Sequence, residues 1–93
     1  MDKTIQITAH QTNISSLAIN HDGNLLATGS DKGTLVRLWD IETGSLLQEL
    51  RRGSDPAEIT CIAFDPLSKW VACTSDKGTI HIFAIKNEVQ VAT

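Results

Sequence analysis

The sequence has only two cysteines, Cys61 and Cys73, and both stand inside apolar runs. Two is too few for a disulfide framework, and neither their spacing nor a nearby histidine suggests a metal site, so small buried thiols are expected. No run approaches the roughly 20 apolar residues of a membrane-spanning helix. The opening stretch, MDKTIQITAH, has no apolar h-region, which points away from secretion and toward a cytosolic, reducing setting. Positive charge is scarce: 8 Lys and Arg stand against 11 Asp and Glu, for a formal net charge of −3. A general nucleic-acid binder needs a broad basic field, so no nucleic-acid partner is expected. Helical 3.6 periodicity is also absent, while β-branched residues are dense. No nucleophile, base and orienting acid assemble, and no glycine-rich phosphate loop leads from a strand into a helix. The chain is therefore expected to be neither an enzyme nor a cofactor binder. With 93 residues it is one domain at most, or part of one.

What the sequence does contain is a repeat. ISSLAINHDGNLLATGSDKGT (14–34) aligns with ITCIAFDPLSKWVACTSDKGT (59–79) at an offset of 45, and 8 of the 21 positions are identical. Apolar residues alternate within each copy, and the breaks carry turn residues, as at Asp31-Lys32-Gly33 and Asp76-Lys77-Gly78. Period two predicts strands near 14–20, 25–30, 34–40 and 45–51 in the first copy. The second copy predicts strands near 59–64, 69–75 and 79–85, with a further candidate over 88–93. After the shared Thr the register slips by one residue, which reads as a bulge in the third strand of the first copy. A short strand over 4–8 precedes both. Trp70 is expected in the core between blades.

Four-stranded units repeating every 40 to 45 residues, one ending its third strand in Trp39-Asp40, are the mark of β-propeller blades. The chain resembles the WD-repeat family. The fold class is then all-β: two consecutive four-stranded blades, a partial propeller. The first blade spans 9–51 and the second 52–93, and 4–8 is an outer strand belonging to a preceding blade. Two blades do not close a ring, so the chain is expected to be part of a longer propeller, a truncated form, or one protomer of an assembly. Self-association of the two-blade chain follows from its unpaired sheet edges and bare faces.

Four of the eight cations are placed rather than scattered: Lys32, Lys77, and the adjacent Arg51 and Arg52 between the two copies of SDKGT. Consecutive strand residues face opposite ways, so one arginine should lean toward each turn. Each turn offers two hydroxyls and a lysine: Ser30, Lys32 and Thr34 on one side, Ser75, Lys77 and Thr79 on the other. His10 and His81 lie near them, and Thr74 adds a hydroxyl. Such clusters suit a phosphate, with Arg as a fork, Lys as a point charge, and hydroxyls and turn N–H groups on the remaining oxygens. Protonation of His10 or His81 would add a cation, so affinity is expected to rise as pH falls. Ordinary WD repeats carry an acidic residue where Lys32 and Lys77 stand.

LRRG (50–53) between two blades, with SDKGTLVRLWD (30–40) before it and SDKGTIHIF (75–83) after, resembles the PROPPIN/WIPI family of phosphoinositide-binding propellers. That resemblance implies a first headgroup site of His10, Ser30, Lys32, Thr34 and Arg51, and a second of Arg52, Thr74, Ser75, Lys77, Thr79 and His81. It implies recognition of phosphatidylinositol 3-phosphate and phosphatidylinositol 3,5-bisphosphate. It also implies peripheral attachment to autophagic, endosomal or vacuolar membranes, with autophagy proteins as partners. Members of the family carry a long membrane-inserting loop between the third and fourth strands of the second of these blades, which AIKNEVQVAT (84–93) leaves no room for. The chain is expected to keep the headgroup chemistry and lose durable attachment, which takes two anchoring signals. The alternative is a WD-repeat scaffold for protein–protein interaction without a lipid ligand.

Overall fold

Two antiparallel sheets make up a computed structural model of the chain, which describes residues 4–86. The first holds β1 (Ile14–Ile19), β2 (Leu25–Ser30), β3 (Leu35–Asp40) and β4 (Leu46–Arg51), in that order. The second holds β5 (Ile59–Phe64), β6 (Trp70–Ser75) and β7 (Ile80–Ala84). The seven expected strands therefore form, within a residue of their expected ends. The eighth candidate, 88–93, lies outside the described residues.

Each strand forms because its side chains alternate between two faces, and the pairing fixes which face is which. Ala27 pairs with Leu38, and Val36 with Leu50. These four turn toward the second sheet and are buried against Ile59, Ile62, Val71 and Cys73. The approach is close at Gly29, where an added Cβ would stand 2.8 Å from the Ile59 side chain. Polar bonds fasten the seam. Ser15 Oγ donates to the Ile59 carbonyl at 2.6 Å, and Asn20 Nδ2 donates to Ser68 Oγ at 2.8 Å. The Lys86 amide donates to Gln48 Oε1 at 3.1 Å.

Two expectations are corrected. The extra residue of the first copy is not a bulge in the third strand: β2 and β3 pair without interruption from Leu25↔Asp40 to Gly29↔Val36. The residue is taken up in the hairpin turn, since six residues (30–35) separate that last pair where five (75–79) separate Thr74↔Ile80. Irregularities lie between Ile14 and Ser16, at the Leu38–Trp39 step where β3 pairs with β4 and β4 holds the extra residue, and between Ile59 and Cys61. Each inserts one residue, so Ile59 and Ile62 share a face although three positions apart. The same insertion turns Cys61 outward, where it is exposed; only Cys73 is the buried thiol. Trp70 pairs with Ala84 on the face of the second sheet away from the first, and is 50% exposed.

Residues 4–8 join neither sheet. No strand among the described residues offers them a ladder. They pack by side chain over the first sheet's outer face, where Ile5 and Ile7 line a hollow of about 440 Å³ with Ile19, Leu26 and Ile41.

Candidate functional site

The two SDKGT turns lie at the same end of their sheets, where the second strand stops and the third begins. In the first, Gly33 sits at φ +62°, and its amide donates to the buried Ser30 hydroxyl at 3.1 Å. The residue must be glycine for a second reason: an added Cβ would fall 1.5 Å from the Ala57 carbonyl oxygen. The linker between the sheets is pressed against this turn, and the Ala57 amide donates to the Lys32 carbonyl at 3.0 Å. Gly78 repeats the left-handed backbone, at φ +83°, but has open space around it.

Arg51 ends β4 opposite Leu35, and by parity it shares the first sheet's outer face with Glu49, Arg37, Thr28 and Ser30. It is exposed. Arg52 lies just beyond the strand and turns the other way. Its amide donates to the Thr34 carbonyl at 2.9 Å, while its guanidinium donates through Nε to the Gly33 carbonyl and through Nη2 to the Asp55 carbonyl. It stands close enough to Cys73 on β6 to draw that thiol's pKa down, against the burial that raises it. The neighbouring guanidinia thus splay to opposite sides, one over the first sheet's outer face and one toward the second sheet. Two of Arg52's five N–H groups are used, which leaves three to donate.

On the second sheet the face toward Arg52 carries Cys73, Ser75 and His81, with Thr79 and Lys77 in the turn above. The Ser75 and Thr79 hydroxyls are 3.4 Å apart, and Thr79 Oγ1 is 3.3 Å from His81 Nε2. The Lys77 amide donates to Ser75 Oγ at 3.4 Å. Thr74 is not part of this group. Its hydroxyl points to the opposite face, 2.9 Å from Thr60 Oγ1.

Lys32 and Lys77 are both exposed, and the one ion pair among the described residues is Arg37 Nε with Glu49 Oε2 at 3.0 Å. Two of the neighbouring carboxylates are engaged elsewhere. Glu49 is held by Arg37, and Asp76 accepts the Glu58 amide at 3.2 Å. Asp55 offers Arg52 its backbone carbonyl. Four cations at one end of the two sheets therefore have no acidic partner within ion-pair distance among the described residues.

His10 has a different setting. Its Nε2 is 2.9 Å from Thr28 Oγ1, which also accepts the indole N–H of Trp39 at 2.9 Å. Burial first, and the Arg37 charge second, lower the His10 pKa below the ordinary imidazole value. A neutral ring in a Trp39–Thr28–His10 chain braces the sheet and adds no cation near pH 7. The hydroxyl of this network belongs to Thr28, two residues before Ser30 on the same face. Thr28 was missed because its equivalent in the second copy is Cys73, so the repeat hid it.

The PROPPIN family profile matches residues 1–92 of the chain. The chain belongs to the PROPPIN family. Over 83 residues it is 49% identical to Ectopic P granules protein 6 of Caenorhabditis elegans, a match covering 89% of this chain and 21% of that protein. It is 46% identical over 83 residues to Autophagy-related protein 18e of Arabidopsis thaliana, covering 89% and 22%. Kluyveromyces lactis Hsv2, solved with its complete loop 6CD, superposes with a TM-score of 0.89 at 33% identity, over 95% of this chain and 27% of that one. The chain thus spans about a fifth of the length of these two curated relatives, and its two sheets are consecutive blades of a PROPPIN β-propeller.

Proposed function

We propose that this PROPPIN segment recognises the headgroups of 3-phosphorylated phosphoinositides, at two sites divided by the Arg51–Arg52 step. The observation that carries the reading is the cation cluster without carboxylate partners, Lys32, Arg51, Arg52 and Lys77, gathered at one end of adjacent blades. In the first site, Arg51 forks onto a phosphate, Lys32 adds a point charge, and Ser30 and Thr34 supply hydroxyls; His10 steadies the strand beneath. In the second, Arg52, Lys77, Ser75, Thr79 and His81 do the same on the neighbouring sheet, while Thr74 supports it from behind through Thr60. Phosphatidylinositol 3-phosphate and phosphatidylinositol 3,5-bisphosphate fit this donor set, because both offer dianionic monoesters that Arg binds bidentately. The role is recruitment rather than catalysis: peripheral binding at autophagic, endosomal or vacuolar membranes, with autophagy proteins as partners. A relative carrying the name Autophagy-related protein supports that setting.

The experiment is co-sedimentation with vesicles containing or lacking phosphatidylinositol 3-phosphate. Wild type should pellet only with the lipid present. Arg51→Thr combined with Arg52→Thr should stay in the supernatant while keeping a cooperative melt. A folded double variant that pellets as wild type does would remove the headgroup assignment.

A further inference from the structure

The linker that carries the two arginines also carries a serine. Ser54 lies in 52–58, which forms no strand, and it is exposed. Its hydroxyl makes no hydrogen bond among the described residues, unlike the hydroxyls of Ser15, Ser30, Ser45, Ser68 and Ser75. Arg52 stands two positions before it and Arg51 three. Arg-directed serine kinases read this arrangement through their own carboxylates, which the forked guanidinium suits. The segment is tied at its ends, by the Arg52 amide to Thr34 and the Ala57 amide to Lys32, and the serine sits in the open bend between.

We propose that Ser54 is a phosphoacceptor, and that its phosphate folds onto the neighbouring guanidinium and closes the anion site from within. In the reaction the Ser54 oxygen attacks the γ-phosphorus of a nucleoside triphosphate. The bond from that phosphorus to the bridging oxygen breaks, and the nucleoside diphosphate leaves. The hydroxyl proton passes to the kinase's base. The geometry for docking already exists: Arg52 Nη2 reaches the carbonyl of Asp55, so its guanidinium lies along the residues that flank Ser54. Its three unused N–H groups are donors for the phosphate oxygens. A phosphoserine brings about −1.5 to −2 charges at pH 7. That offsets roughly half of the four cations. Because it is held on the same chain, it competes at an effective concentration in the millimolar range for a short tether.

This inference rests on the anion-binding reading above, and the test has an arm that does not. The purified chain is incubated with an Arg-directed serine/threonine kinase and ATP, and the site is mapped by mass spectrometry. Wild type should take up one phosphate and Ser54→Ala none; equal labelling of the two would overturn the assignment. Phosphorus NMR then follows the phosphoserine through its titration. Its second pKa should lie below the about 6 of an unperturbed phosphate, and return there in Arg51→Thr plus Arg52→Thr protein phosphorylated in the same way. An unperturbed value in wild type would overturn the docking whether or not the chain binds lipid. Finally, soluble short-chain phosphatidylinositol 3-phosphate is titrated into each form. Ser54→Ala should bind as wild type does. Phosphorylated wild type should bind at least about tenfold more weakly, the loss of one charge-assisted contact. Undiminished binding would overturn the closure, and failure of unmodified wild type to bind would instead strike the headgroup reading.

Discussion

Replacing Gly33 and Gly78 with alanine, one at a time, separates two demands that the repeated SDKGT turn makes on its glycine. Both residues adopt a left-handed backbone, at φ +62° and +83°. That conformation costs an L residue about 1–2 kcal/mol relative to glycine, so each substitution carries at least this term. Gly78→Ala should carry little else, since nothing lies within 4 Å of the new Cβ. Gly33→Ala must in addition move the Ala57 carbonyl from 1.5 Å to beyond 3.0 Å. The Ala57 amide then loses its bond to Lys32, worth about 0.5–1.5 kcal/mol, and Arg52 loses the Gly33 carbonyl that positions it. The sum for Gly33→Ala is about 1.5–3.5 kcal/mol before any loss at Arg52, against about 1–2 for Gly78→Ala. At this chain length each kcal/mol lowers the melting temperature by about 4–8 °C. Thermal melts followed by circular dichroism would read both, and Gly33→Ala should also weaken headgroup binding through Arg52. Equal losses for the two variants would show that the linker is not pressed against the first turn, and the geometry given to Arg52 would fall with it.

Other outcomes follow from the same contacts. Thr28→Ala leaves the Trp39 N–H and His10 without their shared partner and should cost about 1–3 kcal/mol in urea denaturation; a cost near zero would mean the chain of three is not a brace. His10 has a lowered pKa in the folded chain, so between that value and the ordinary imidazole value of about 6.5 the unfolded chain binds more protons. Stability should therefore be full above about 6.5 and decline as pH falls through that window, in wild type but not in His10→Asn; parallel melting profiles for the two would contradict it. Leu38→Ala, at the centre of the seam between the sheets, should cost about 2–5 kcal/mol by the same denaturation. A loss below about 1 kcal/mol would show that the two sheets do not bury it between them.

The strands were legible because alternation and turn residues are local, and the repeat supplied each reading twice. The splay of Arg51 and Arg52 was legible for the same reason, since it needs only the parity of one strand. What failed depended on neighbours. Cys61 stands in an apolar run, but an inserted residue near Thr60 decides its face. Arg52's carbonyl contacts arise from a linker folding back on a turn, which spacing does not record. The bond from His10 to Thr28 was not legible, because Thr28 has no hydroxyl counterpart in the second copy.

The account rests on two separate pockets, each completed by a different arginine. Isothermal titration with soluble short-chain phosphatidylinositol 3-phosphate tests this directly. Wild type should bind two equivalents, and Arg51→Thr and Arg52→Thr should each keep one. Each lost site should weaken by about 1.5–3 kcal/mol, the worth of a charged contact. A single equivalent in wild type, or either substitution abolishing both sites, would contradict the division of labour between the two arginines.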